Sequence, residues 1–188
     1  MRTLAFDGRT GAAGDMICAA LIAAGADPAV LAPVEAALPV RYEVRETTRN
    51  GIRATTVDVL LAEADGGHSH GDDHGEGDHQ HGHGEGDHQH AEGAGTHRTY
   101  PEVVEAVEAM ALPASVADDA LAVFELLAEA EAAVHGTDLA ETHFHEVGAD
   151  DALADVVGAC LLLDDLDPDR GVTGPVAAGG GEVAMSHG

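Results

Sequence analysis

Tyr42-Glu43-Val44-Arg45-Glu46-Thr47-Thr48-Arg49-Asn50-Gly51-Ile52-Arg53-Ala54-Thr55-Thr56-Val57-Asp58-Val59-Leu60 consists of two runs of alternating polar and β-branched residues on either side of an Asn-Gly pair. Asn and Gly tolerate the positive φ that a two-residue turn requires, so the stretch predicts a β-hairpin with strands over 42–48 and 52–60. Elsewhere strands and helices do not alternate regularly enough for a doubly wound parallel sheet. The fold expected is therefore α+β, with mixed strands and the hairpin packed against helices.

Upstream, residues 2–6 read as a short buried strand. The glycine-rich turn Asp7-Gly8-Arg9-Thr10-Gly11-Ala12-Ala13-Gly14-Asp15 then leads into an apolar helix over 16–24, which Gly25 is placed to stop. Asp27-Pro28 opens a second helix over 29–38. Downstream, residues 65–95 hold a nine-residue direct repeat, His74 to Gly82 and His83 to Ala91, with almost no apolar side chain to bury. Such a composition predicts a disordered insert or linker. Thr99-Tyr100-Pro101-Glu102 has capping-box spacing and starts a helix to Met110. Ser115 with Asp118 opens another, whose apolar face carries Ala117, Ala120, Leu121, Phe124, Leu127, Ala128 and Val134 and which Gly136 closes. A helix over 151–163 and a strand over 172–176 complete the pattern. Three units are expected: residues 1–64 with the hairpin, 65–95 rich in histidine, and 96–188, mainly helical. The final Ser186-His187-Gly188 has neither a helix cap nor a paired strand, and reads as the end of a front portion.

The 188 residues carry 35 acidic side chains against eight arginines and no lysine, for a formal charge of -27. That balance opposes binding to nucleic-acid phosphates or anionic lipid. It also removes Schiff-base chemistry and any lysine-dependent phosphate loop. Such a surface repels itself in dilute buffer, whereas at about 1 M salt the screening length falls to roughly 3 Å; a salt-rich cytosol, as in haloarchaea, is the expected setting. Cys18 and Cys160 lie within apolar helical patterns and form no CxxC, so they read as buried free thiols. No apolar run reaches the length of a membrane span and no signal-peptide pattern opens the chain, so the expected location is cytoplasmic.

Histidine is the main chemical signal. Nine occur between His68 and His97, with the pairs His68/His70, His79/His81, His81/His83 and His88/His90 one residue apart and His74 between them. A flexible backbone can wrap two or three of these imidazoles around one divalent transition metal, while adjacent aspartates add oxygen donors. Affinity should fall as pH drops through about 6.5, because only neutral imidazole coordinates. A second cluster is His143-Phe144-His145-Glu146. In an extended segment His143 and His145 project to one face and can meet one ion while Phe144 anchors the other. Glu146 is then a further ligand, a partner orienting an imidazole, or a general base, and Asp150, Asp151 and Asp155 lie close enough in sequence to join. Structural histidines and a merely solvated linker are the plainer readings of the two clusters. His135 reads as a cation at a helix C-terminus. Asp7, Gly11, Gly14 and Asp15 form either an anion-holding nest or simply a tight turn.

These motifs occur in order: Asp7-x-x-x-Gly11-x-x-Gly14-Asp15-Met16, the histidine-rich insert, Ala128-Glu129-Ala130-Glu131-x-x-Val134-His135-Gly136, His143-Phe144-His145-Glu146-Val147-Gly148-Ala149-x-Asp151, then Gly179-x-Gly181 with His187-Gly188. Along its whole length the chain resembles the nickel-insertion family that matures the lactate racemase cofactor, the LarC family. Thr10 and Ala13 stand where serines are expected, which weakens hydrogen bonding there but keeps the glycine turn. The resemblance implies insertion of Ni²⁺ into pyridinium bisthiocarboxylic acid mononucleotide, a lyase-class cyclometallation that forms one carbon-nickel and two sulfur-nickel bonds. It also implies dependence on CTP and on Mn²⁺ or Mg²⁺, handled by a C-terminal half that is fused or supplied as a separate chain.

The resulting assignment gives the metal to His143 and His145 and to the tract histidines His68, His70, His74, His79, His81, His83, His88 and His90. Glu146 or Asp151 would accept a proton, and Asp7, Gly11, Gly14 and Asp15 would hold the nucleotide ligand. A homo-oligomer is compatible with the sequence. Two other readings stand beside it: a nickel or zinc store or metallochaperone, and a metal-dependent hydrolase using the HxH pair.

Overall fold

The computed structural model describes residues 1–62, 98–144, 147–177 and 180. The histidine-rich segment, His145 and Glu146 lie outside the described residues. Asn50 and Gly51 have φ of 51° and 80°, the pair of positive values that a tight primed turn needs. Strand β2 (Val40–Arg49) therefore folds back on β3 (Ile52–Leu61) in antiparallel register, from Val40 opposite Leu61 to Arg49 opposite Ile52. The hairpin is longer than its alternating pattern suggests because Val40 and Leu61 extend the pairing at its buried end.

Strand β1 (Thr3–Phe6) precedes helix α1 (Gly14–Ala23), and Gly25, at φ 114°, turns the chain after it. The helix expected over 29–38 is divided: a 3-10 turn at Pro28–Leu31 gives way to α2 (Ala32–Ala37). Pro33 has no N–H to donate back to residue 29, so the second helix restarts there. Helix α3 (Tyr100–Ala109) opens with the Thr99/Glu102 capping box, both reciprocal bonds being present. Helix α4 (Ala114–His135) ends at Gly136 in the left-handed conformation. Ser115 does not cap it: the hydroxyl donates instead to Asp164 at 3.1 Å. Burial along α4 stops at Ala128, so Val134, expected on the apolar face, is 79% exposed.

Helix α5 (Asp150–Leu166) organises the rest. Leu153, Ala154, Val157 and Leu161 face a core shared with Val103 and Val107 of α3, Phe124 of α4 and Val40 of the hairpin. Leu162 and Leu166 enter a second cluster with Cys18 and Leu21 of α1 and Val57 of β3. Tyr42 crosses α5 at Gly158, where an added Cβ would come within 2.8 Å of the phenol oxygen, and its hydroxyl donates to the Ala154 carbonyl at 2.6 Å. Finally β4 (Arg170–Thr173) lies parallel to β1, with Thr3 opposite Arg170 and Phe6 opposite Thr173. The architecture is α+β, with helices around an antiparallel hairpin and a separate two-stranded parallel pair. Among the described residues, no helix is long and apolar enough to cross a membrane.

Candidate functional site

The turn after β1 is built by glycine. Gly11, at φ 98°, returns its N–H to the Gly8 carbonyl at 3.0 Å. Arg9 folds back on Asp7, donating from Nε to Oδ1 at 2.8 Å and from Nη2 to Oδ2 at 2.5 Å. The guanidinium beside it holds the Asp7 carboxyl below the usual carboxylate range, although both groups are exposed.

Helix α1 has Ala13 at its N-cap and no side-chain cap of its own. Asp155 from α5 supplies the missing acceptor by taking a hydrogen bond from the Asp15 N–H. A Cβ on residue 14 would fall within the Asp155 carboxyl group, which is why glycine stands there. Burial, then the neighbouring charges of Asp15 and Asp151, push Asp155 up to about 7, against the opposing pull of that N–H.

Two cavities flank this turn and share Met16. One, of about 420 Å³, lies at the C-terminal ends of β1 and β4; Phe6, Ile17, Ala20 and Val176 form its apolar walls, and Asp7, Gly8 and Gly11 lie at its polar side. The other, of about 370 Å³, is lined by Asp15, Asp58, Asp151 and Asp155 with Val57 and Val59. One oxygen each of Asp151 and Asp155 is fully buried. A third groove, of about 480 Å³, lies between the end of α1 and the hairpin. It contains neither the glycine turn nor paired carboxylates.

The structure thus brings Asp15 and Asp151 together, though 136 positions separate them, while Asp7 and Gly11 face the neighbouring cavity. Asp58 joins them, although by sequence a lone carboxylate in an alternating strand reads as a solvent-facing residue. Asp150 turns away from both cavities. It is buried and forms an ion pair with Arg98, Oδ1 lying 2.7 Å from Nη2.

His143 stands before this helix. Residues 98–100 run antiparallel to 142–144: Phe144 donates to the Arg98 carbonyl at 3.1 Å, Tyr100 to the Thr142 carbonyl at 3.0 Å, and Thr99 bridges His143. The Phe144 side chain is 1% exposed and meets Tyr100 edge-to-face at 6.4 Å, while His143 is exposed. Alternation along an extended segment produces that division. Glu102 lies within electrostatic reach of His143, although its bonds to Thr99 are the main reason its carboxyl is held low. Its capping role concealed that proximity in the sequence. His135 contacts Glu131 at 3.4 Å, one helical turn back. Among the described residues, no group of three or more metal-capable side chains is drawn together closely enough to hold an ion.

Fold and cavities together define an α+β protein with a carboxylate-lined pocket beside an apolar one, and a histidine displayed on a short paired segment. The chain belongs to the nickel insertion protein family, whose profile matches residues 4–188. It is 39% identical over 190 residues to a relative from Methanosarcina acetivorans described as a nickel insertion protein, covering 100% of this chain and 40% of that one. It is 40% identical over 193 residues to the pyridinium-3,5-bisthiocarboxylic acid mononucleotide nickel insertion protein of Akkermansia muciniphila, covering 100% and 42%. A relative from a Picosynechococcus species is 43% identical over 183 residues, covering 95% and 42%. The chain spans about two-fifths of the length of these curated relatives. No solved structure matches it.

Proposed function

We propose that this chain is the metal-handling portion of an enzyme that inserts Ni²⁺ into pyridinium bisthiocarboxylic acid mononucleotide, the ligand in the name of the Akkermansia relative. The observation that carries the reading is the pairing of residues 98–100 with 142–144, which ties the downstream end of the histidine-rich segment to the strand displaying His143. Tract histidines, among them His68, His70, His74, His79, His81, His83, His88 and His90, gather nickel and raise its concentration next to His143 by tethering. His143, with His145 and Glu146, receives the ion. The substrate's two thiocarboxylate sulfurs are softer donors than imidazole or carboxylate and draw the nickel away.

The apolar cavity beside Asp7 and Gly11 suits the aromatic ring of the substrate, and Asp15 and its neighbours offset the positive charge of the pyridinium. When the carbon-nickel bond forms, a carbon-hydrogen bond breaks and its proton must leave. Asp151 or Glu146 takes that proton.

Neither cavity fits a nucleoside triphosphate. One is lined by four aspartates that repel phosphate, and the other has Arg9 as its nearby cation, already engaged with Asp7. The carboxylates around Asp15 are not drawn together into a cage for Mn²⁺ or Mg²⁺. No step here passes through CTP or those ions, and both are assigned to the complementary portion represented in the longer relatives.

Nickel titration of product formation in the presence of that portion tests the reading. Deleting residues 65–95 should raise the nickel concentration required yet leave full turnover at saturating Ni²⁺. His143→Ala with His145→Ala should abolish turnover at any Ni²⁺ concentration while barely changing the number of ions bound. If the deletion alone abolishes function irrecoverably, the protein is a metal store. Phosphoester or amide hydrolysis by the nickel or zinc form would instead mark a hydrolase.

A further inference from the structure

We infer that Arg98 is the positioning residue that sets His143 for nickel, an inference that rests on the reading of His143 above. Arg98 touches the His143–Asp150 connection at three separate points. Its carbonyl accepts from the Phe144 N–H at 3.1 Å, Nη1 donates to the Gly148 carbonyl at 3.0 Å, and Nη2 lies 2.7 Å from Asp150 Oδ1. The start, middle and end of the connection are thus held by one side chain and its own peptide. The loop also lies directly on the Arg98 backbone: a Cβ on Gly148 would come within 2.9 Å of the Arg98 nitrogen and oxygen.

Placement of charge separates this arrangement from ordinary surface pairing. Only eight cations serve a chain of formal charge -27, and this one is 17% exposed against a carboxylate that is 5% exposed. Asp150 already lies in the first turn of α5, where the helix dipole favours a negative charge, so a full guanidinium exceeds what simple neutralisation requires. The planar fork reaches a carbonyl and a carboxylate in two directions at once, which the point charge of lysine cannot do. With Phe144 buried, the exposed His143 side chain stands on the opposite face of the segment, within electrostatic reach of Glu102.

The test uses the full chain with Ni²⁺ alone, reading paramagnetic broadening of the His143 ring resonances, the response of the tract histidines and the melting temperature. Arg98→Lys and Asp150→Asn should each weaken the nickel response of His143 by about tenfold, the usual effect of removing a partner that orients a ligand, while the tract response stays unchanged. A purely structural role would lower the melting temperature and leave the His143 response of the folded protein intact. If either variant folds and His143 still responds as in the parent, the inference is overturned. Asp150→Asn keeps shape and size, so it provides that comparison even where Arg98→Lys unfolds. A His143→Ala control, read as nickel transfer with the substrate and the complementary portion added, separates the two claims: if it leaves transfer unaffected the reading of His143 fails, whereas loss of transfer there with a parental His143 response in Arg98→Lys removes Arg98 alone.

Discussion

Asp155 sits where a helix N-terminus attracts its negative charge, while burial first and then two neighbouring carboxylates oppose it. Opposition wins, and its carboxyl is raised to about 7. Between about pH 4, the ordinary aspartate value, and pH 7 the folded state therefore binds more protons here than the unfolded state does. Stability from this residue is complete below pH 4 and is lost as pH rises through 7. Asp155→Asn should remove that dependence, raising stability at pH 8 by roughly 1–4 kcal/mol and changing it little at pH 4; chemical denaturation at the two values checks this. Burial also raises the Cys18 thiol to about 12 and the Cys160 thiol to about 11. Cys18, fully buried, should not react with a disulfide reagent at pH 8 faster than the chain unfolds, whereas Cys160, expected to be buried but only half-buried because it lies at the edge of the core, should react first; the time course of thiol release would show the two phases. The free, buried character of Cys18 was legible from its apolar flanks. The role of Asp155 was not, because its partner Gly14 lies 141 positions away and only the fold brings the two together.

At the scale of elements, the approach of α5 to α1 depends on the missing side chain at position 14. Gly14→Ala should cost about 1–3 kcal/mol in denaturant unfolding, since either the helix or the Asp155 carboxyl must move. Combining it with Asp155→Ser should recover part of the loss, because the sites are in contact and their effects do not add. Legibility followed locality. The hairpin, the Thr99/Glu102 capping box and the Gly136 stop were readable because a few adjacent residues determine each one. The division at Pro33 was missed because helical apolar spacing continues across it. The pairing of β1 with β4 was also hidden: Arg170-Gly171-Val172-Thr173 has a single apolar side chain, and nothing in either segment names the other. The candidate groups around the aspartate cavity and around His143 divide in the same way. Asp15, Asp151 and His143 stand in local motifs, whereas Asp58 reaches the aspartate cavity, and Arg98 and Glu102 approach the segment of His143, through tertiary proximity alone.

For the whole molecule, charge sets the conditions of stability. A chain of formal charge -27 repels itself across distances that salt shortens, from a screening length of roughly 30 Å at 0.01 M to roughly 3 Å at 1 M. Its melting temperature should climb steadily between those limits in KCl; a flat or falling profile would remove the case for a salt-rich setting. The pairing of β1 with β4 has a further consequence, for the order of assembly. During translation the first strand leaves the ribosome early, but the segment it must pair with follows about 167 residues later. At ~5–20 residues per second that is a wait of roughly ten to thirty seconds, through which the nascent chain can build the hairpin and its helices while β1 stays without its neighbour. Thr173 and Val176 form a wall of the apolar cavity beside the glycine turn, so the cavity cannot close until that later segment has emerged.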